Sequence, residues 1–427
     1  MKLGLTIFCS AAFICLLRAL DRGTNLFCFC RVSSFRHGLP FLIITGTCWA
    51  GCTPQAQTGV TEQSGEPIAA PSPSAWQYGG FVDVGYLHDF NDPANHLFRS
   101  RGTTFRLNEV NPNMSALYLR KVASESSRWG TELTVQFGSD SEVFGFSATA
   151  PPIDGAKELR HLGPTDVSYL VPVGKGLTLQ GGIFSSLIGY DSLYAKDNFN
   201  YTRPWGADFT PYLMMGVNAQ YPISAHWNAA LFVVNGYWHL AHANNVPSSG
   251  TQLAYKPSEH LSLKQTMLYG PHQSDTALEF WRLLSDSIAE WKRGTATIAF
   301  EYQVADEKIA SLGSPRALWM SSQIPAHWVV DKHWSATIRP EVAWDRNGRW
   351  TGYSQTVKAV TSTLEYRVPY RAATAIVRLE HRWDDSRGPQ GGFFIDGDAS
   401  PQVPKLTPGQ QLLGMGVILT FDSSFHH

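Results

Sequence analysis

The sequence predicts an all-β chain, a transmembrane antiparallel up-and-down β-barrel of about 16 strands, within a range of about 14–18. Three observations predict it. From residue 76 onward, apolar and polar side chains alternate over short stretches separated by Gly, Pro, Asn, Asp and Ser. The last stretch, 411–421, sets Leu413, Met415, Val417, Leu419 and Phe421 on one face and closes on an aromatic residue, with Ile418 as the exception on the other face. An export-like N-terminus precedes all of this, and no cysteine follows Cys52.

Successive side chains of a strand point to opposite faces, so alternation yields one greasy and one wet surface. A soluble all-β protein alternates in the same way. The export signal, the absence of disulfides from an exported body and the aromatic last strand favour a barrel in lipid. There every backbone polar group needs a protein partner, which only a helix or a closed sheet supplies. About 16 strands leave an aqueous lumen rather than a packed interior.

Composition agrees. Charged residues are 16% of the 427, below the usual quarter or so, and aromatics are 12%. Mean hydropathy is −0.16, too low for a chain of many apolar helices and natural for a barrel, whose alternation hides its apolarity. A net charge of −1 and the lack of a basic run argue against nucleic acid as a partner.

Residues 1–52 read as a targeting segment. All six cysteines (Cys9, Cys15, Cys28, Cys30, Cys48 and Cys52) fall there, at spacings that fit no zinc pattern. Two apolar blocks, 3–17 and 41–49, each follow a basic flank and are too short to span as helices. The duplication suggests a start placed too early, with the working signal beginning near Val32 and including Arg36 to Ala50. Cleavage after Ala56 and lipidation of Cys52 both remain open, although Trp49 is a poor residue for the latter. Residues 53–75, rich in Gln, Thr, Ser, Pro and Ala, read as a flexible linker. Residues 76–427 form the barrel.

Taken in order, the predicted strands are 80–87, 114–121, 129–137, 165–171, 177–184, 211–221, 227–234, 250–255, 261–269, 278–286, 294–304, 316–323, 334–344, 357–367, 375–383 and 411–421. The clearest is 294–304, with Ala296, Ile298, Phe300, Tyr302 and Val304 opposite Thr295, Thr297, Ala299, Glu301 and Gln303. Several end in Trp, Tyr or Phe, as interfacial girdles require. The stretch 278–286 is ambiguous, because Leu278, Trp281, Leu284, Ser285, Ile288 and Trp291 also fit a helical stripe.

The most distinctive stretch is 181–212, where Gly181-Gly182-Ile183-Phe184 runs into Ile188-Gly189-Tyr190-Asp191 and then Asn198-Phe199-Asn200-Tyr201-Thr202-Arg203. Together with the opening Gly80-Phe81-Val82-Asp83-Val84-Gly85-Tyr86, it resembles the OmpL-like family of bacterial β-barrel porins. The likeness runs loosely over 76–421 and is specific at 189–203. Asp191 stands where that family usually has Glu, and Pro204 where Ser is common. The resemblance implies an outer-membrane channel for small hydrophilic solutes and supplies no particular solute.

Asp191, Lys196, Asp197 and Arg203 are candidates for an electrostatic constriction on an inward-folded loop. The bland alternative is ordinary solvated loop charge. Candidate lumen charges are Glu132, Arg282, Glu301, Arg339, Glu341, Glu365, Arg367, Arg378, Glu380 and Arg382. Their signs balance, which predicts weak selectivity, unless such ladders simply brace the wall. No phosphate loop, dinucleotide fingerprint, His-Glu-x-x-His or Gly-x-Ser-x-Gly elbow is present, and no catalysis or cofactor is required. Asp396-Gly397-Asp398 reads as a turn rather than a calcium loop, and His426-His427 as a solvated tail. The expected partners are outer-membrane lipid, small solutes, the barrel-assembly machinery acting on the last strand, and further copies of the chain. The competing readings are an outer-membrane hydrolase and a non-conducting barrel that binds a partner through its loops.

Overall fold

Strands that cross lipid must pair on both edges, and this chain does so without a gap. The computed structural model describes residues 76–145, 159–236, 240, 246–271, 278–309, 316–396 and 405–425. The predicted targeting segment, the linker, Cys52, Gly397, Asp398 and His426-His427 lie outside the described residues.

Among the described residues the sheet has sixteen staves, each antiparallel to its neighbours in chain order. They are β1 (Trp76–Asp89), β2 (Val110–Lys121), β3 (Trp129–Phe137), β4 (Leu162–Val171), β5 (Leu177–Ser185), β6 (Leu213–Pro222), β7 (Trp227–Val234), β8 (Ser248–Tyr255), β9 (Leu261–Pro271), β10 (Trp281–Arg293), β11 (Ala296–Glu307), β12 (Ala317–Gln323 continued as Ala326–Val329), β13 (Trp334–Asp345), β14 (Gln355–Tyr370), β15 (Ala373–Arg387) and β16 (Gly409–Phe425). The two parts of β12 form one stave. Gln323 faces Glu301 and Ala326 faces Ile298 in a single register, interrupted only around Pro325, which has no N–H to donate. Closure is complete: β1 pairs with β16 from Trp76↔Phe425 to Asp89↔Leu412, and with β2 on its other edge.

Alternation places the faces as expected. Leu413, Met415, Leu419 and Phe421 point outward and are exposed, while Ile418 points inward and is fully buried. At one end the outward aromatics pair into a girdle: Trp227 stacks on Tyr255 at 4.2 Å and Trp334 leans on Tyr366 at 4.6 Å. Tyr269 and Trp281 meet at 5.3 Å at the other end. Connections are short at the first end, only residues 294–295 between β10 and β11, and long at the second, such as 186–212 between β5 and β6. By the usual rule the short turns are periplasmic.

The ambiguous stretch resolves as a strand displaced from its expected bounds. Leu278–Phe280 is a 3-10 turn, and β10 begins at Trp281 and extends to Arg293. The helical stripe was misleading because Leu284 and Ile288 are apolar yet face inward and are buried, while Glu290 and Lys292 share that inward face.

The core is unusual in composition. Buried apolar residues such as Phe81, Phe184, Leu284 and Ile418 share the inward face with buried Asp83, Arg339, Arg378 and Asp384. What fills the space against them is the loop between β5 and β6.

Candidate functional site: the strap inside the barrel

Residues 186–212 leave the wall together and return together, Ser186 N donating to the Tyr212 carbonyl at 3.0 Å. Gly189, at φ +88°, turns the chain inward with a conformation that side chains disfavour. From there the segment crosses the lumen as a strap that hydrogen-bonds the inner face of eleven staves.

The strap is held first by wall carboxylates that accept its backbone N–H groups. Asp286 on β10 accepts Gly189 N, and Glu301 on β11 accepts Tyr190 N, both at 2.9 Å. Glu380 on β15 accepts Tyr201 N at 2.6 Å and Thr202 N at 2.9 Å. Glu341 on β13 accepts Trp205 N at 2.5 Å. Wall arginines complement these by donating to strap carbonyls. Arg378 reaches Ala195 O and Asn198 O at 2.6 Å each, Arg339 reaches Thr202 O at 2.9 Å, and Arg382 reaches Arg203 O at 3.1 Å. A buried backbone group without a partner costs about 1–3 kcal/mol, and bonds to charged groups contribute about 1.5–3 kcal/mol each. The wall charges therefore fix an otherwise irregular segment in a place where it has no ladder of its own.

Side chains close the circuit. The Tyr201 hydroxyl donates to Asp83 on β1 at 2.7 Å and accepts from Asn113 on β2 at 2.6 Å. Tyr194 donates to Gln136 on β3, Gln323 on β12 donates to Asp191, and Asn200 donates to Thr363 on β14. Gln252 on β8 and Thr266 on β9 both donate to Leu187 O. Phe199 stacks on His327 of β12 at 4.2 Å.

A second shell of loops clamps the strap from the long-loop side. Arg203 pairs with Asp140 at 3.1 Å and donates to Thr104 Oγ1 at 3.1 Å and to the Leu193 carbonyl. Arg101 pairs with Asp208 at 3.2 Å, and Trp350 Nε1 donates to Asp208 O at 2.6 Å. Burial raises the Asp140 carboxyl to about 6, against the pull of Arg203 and of the bond from Thr104 N. Burial works against the charge on Arg203, yet Asp140 and its other neighbours outweigh it and leave its pKa raised. Asp191 is likewise raised, chiefly by loss of water.

The structure sorts the candidate charges into pairs rather than a ring. Arg203 has no exposed side-chain surface. Lys196 and Asp197 bond each other at 2.7 Å and remain partly exposed. Arg382 sits between Glu341 at 3.0 Å and Asp384 at 2.9 Å, and Arg339 lies 3.5 Å from Glu341. Glu365 is shared by Arg378 at 2.7 Å and Arg367 at 2.5 Å. Arg282 pairs with Glu307 at 2.9 Å, away from the strap's backbone. Glu132 accepts Thr134 Oγ1 at 3.1 Å and lies opposite Arg120 on β2. Sequence reasoning missed Asp83, Arg101, Asp140 and Asp208. The last three sit in connections with no periodicity to read, and Asp83 hides in an apolar strand, where one inward carboxylate was the available signal. Among the described residues no group of three or more His, Cys, Asp or Glu is arranged to hold a metal ion.

The comparisons follow the same line. The family described as putative beta-barrel porin-2, OmpL-like, matches residues 76–421. No curated protein matches the chain. Among solved structures, OmpF of Salmonella typhi in complex with daunomycin is similar at TM-score 0.53 and 10% identity, over 82% of this chain and 98% of that one. The outer-membrane channel DcaP of Acinetobacter baumannii is similar at TM-score 0.51 and 10% identity, over 83% and 98%. At such identities the likeness is one of fold. The family match is wider, running from the first residue of β1 to the last aromatic girdle residue of β16, and on that ground the chain belongs to the OmpL-like family of outer-membrane β-barrel porins.

Proposed function

We propose that the chain carries small hydrophilic solutes passively across the outer membrane, along a path set by the strap. The observation that supports this reading is the uneven use of the inner wall. On β13–β15 the inward charges Arg339, Glu341, Arg378, Glu380, Arg382 and Asp384 are buried against the strap or each other. On β5–β8 the inward Gln180, Gln220, Asn228 and Gln252 are half-buried or exposed, and they are neutral amides. Charges consumed in short pairs contribute little field to a lumen, whereas amides bind water and sugars without regard to ion sign. The path is therefore weakly ion-selective, with Lys196 and Asp197 as the partly exposed strap charges that tune it. The export signal in 1–52 and recognition of β16 by assembly machinery belong to the same reading, and no catalytic step enters it.

Liposome swelling tests it. Vesicles carrying the protein should swell in isotonic small sugars at rates that fall steeply with solute size and depend little on charge. Swelling no faster than that of empty vesicles would remove the porin reading from this chain.

A further inference from the structure

The strap enters the lumen over carboxyl groups that have no cation to pair with. Several buried carboxylates of the inner wall meet an arginine, Glu307 with Arg282 at 2.9 Å, Glu365 with Arg378 at 2.7 Å and Asp384 with Arg382 at 2.9 Å. Asp286 on β10, Glu301 on β11 and Asp191 on the strap make no ion pair among the described residues. Their bonds come from neutral donors. Gln323 Nε2 of β12 lies 2.6 Å from both Asp191 Oδ2 and Glu301 Oε2, so it bridges those two carboxyls. Glu301 Oε1 accepts Gln303 Nε2 and Tyr190 N at 2.9 Å each, and Asp286 Oδ2 accepts Gly189 N at the same distance.

Acceptors outnumber donors at this point. Asp286 and Glu301 are 1% and 2% exposed, and their carboxyls stand within hydrogen-bonding reach of each other. Asp286 Oδ1 and Gln323 Oε1 are buried and find no donor. Lys264 on β9 faces Asp286 without pairing with it. Arg339 and Glu341 on β13 and Arg203 on the strap face Asp191, whose carboxyl is raised chiefly by loss of water. Glu290 on β10 accepts the Tyr190 hydroxyl at 2.7 Å. Two carboxyls in contact and cut off from water cannot both be ionised.

We propose that Asp286 and Glu301 share one proton, and that this proton fastens the entrance of the strap to the wall. It supplies the donor that Asp286 Oδ1 lacks and leaves Asp286 Oδ2 and Glu301 Oε1 free to hold Gly189 N and Tyr190 N. Without it two adjacent carboxylates repel, and the repulsion is relieved by turning one of them away from the strap toward water. The direction of the pH dependence follows. When the entrance lifts, lumen water reaches both groups and the proton leaves at an ordinary carboxyl value of about 4. Above that pH the docked entrance holds a proton that the lifted one has lost, so docking weakens as pH rises, until the shared proton itself dissociates. The inference concerns the attachment of the strap and holds whether or not the barrel conducts.

Hydrogen exchange of the Gly189 and Tyr190 amides in the full-length, folded protein tests it, with each rate referred to the intrinsic rate at the same pH. Between about pH 5 and 8 their protection should fall with rising pH, by up to about tenfold per pH unit where one whole proton is linked to docking. Asp286→Asn puts an amide N–H₂ where the free oxygen stands, so it donates to Glu301 permanently and keeps an oxygen for Gly189 N. In that variant the protection of both amides should stay flat across the same range. Protection in the parent that does not change with pH, a slope that Asp286→Asn leaves intact, or protection that follows sodium or calcium concentration instead of pH would each overturn the proposal. Infrared spectroscopy gives a second measurement. At about pH 7, well above the ordinary carboxyl range, the parent should show a protonated-carboxyl C=O stretch that is lost from the difference spectrum with Asp286→Asn or, should that variant not fold, with Glu301→Gln. A parent spectrum without that band contradicts the assignment.

Discussion

Gly85 on β1 and Gly416 on β16 face each other across the seam that closes the barrel, and the ring of Tyr201 occupies the space their missing side chains leave. A Cβ on Gly85 would lie 2.3 Å from the Tyr201 hydroxyl, and one on Gly416 would lie 2.3 Å from the ring. Neither contact is tolerable, and behind the ring are Asp83 and Asn113, which hold its hydroxyl. The seam thus carries a slot for the strap. Gly416→Val should expel Tyr201, at a cost of about 1–3 kcal/mol in overpacking. The barrel itself should still close, because the backbone ladder is untouched. The expected readouts are trypsin cleavage after Lys196 that is faster than in the wild type, and a larger, noisier single-channel conductance.

Glu380 gathers four donors: Tyr201 N, Thr202 N, Thr202 Oγ1 and Thr363 Oγ1. Glu380→Ala would orphan two buried N–H groups of the strap, a loss of several kcal/mol in its docking at about 1–3 kcal/mol each. Glu380→Gln keeps one acceptor oxygen and replaces the other by an NH2 donor, so it can still accept from one of the two strap N–H groups and its effect should be smaller. Hydrogen exchange of Tyr201 and Thr202 amides measures this directly, and the order wild type, Gln, Ala in rising exchange rate is expected.

Asp140 makes the clamp pH-sensitive in a defined direction. Its carboxyl titrates at about 6 in the folded protein against 3.8 as the reference, so between those values the folded state holds a proton that the unfolded state has released. A raised folded pKa means that its favourable contribution is complete below pH 3.8 and is lost as pH rises through about 6. Wild type should gain stability relative to Asp140→Asn as pH falls across this window, by about 1.4 kcal/mol per pH unit at the steepest point. Urea unfolding of both proteins at several pH values checks it; parallel curves would show that Asp140 does not titrate there.

Three short turns repeat one device. His226, His260 and His333 each place Nδ1 at 2.8–3.0 Å from a backbone carbonyl of the adjoining hairpin, of Lys256, Lys292 and Arg367 respectively. Two residues before each histidine, the side chains of Ser224, Ser258 and Asp331 cap the turn by accepting backbone N–H groups. Replacing any one histidine by alanine should cost about 0.5–1.5 kcal/mol in barrel stability without altering conductance. The three losses should add, since each stitches a different pair of turns.

The fold was legible because lipid imposes a period of two on every stave. All sixteen predicted stretches overlap an observed strand, and the boundary that moved most, at β10, moved where Leu284 and Ile288 face a buried strap instead of water. The site was legible in part. Glu301, Arg339, Glu341, Arg378, Glu380 and Arg382 stood out as charges on inward positions, and all six line the inner wall and are buried. That they hold a strap could not be read, because their partners are backbone groups of a loop, and a backbone group has no letter in the sequence. The histidine device was visible as Ser-x-His, Ser-x-His and Asp-x-His at three short turns, a repeat that alternation does not search for.

The central claim is that a barrel containing this strap still conducts. Single-channel recording of the purified full-length protein in planar bilayers tests it most directly. Stepwise, ohmic currents with a reversal potential near zero in a salt gradient, enlarged by Gly416→Val, are predicted. A folded, heat-modifiable barrel that passes no current both as wild type and as Gly416→Val would contradict the account and leave a barrel whose function lies in its loops.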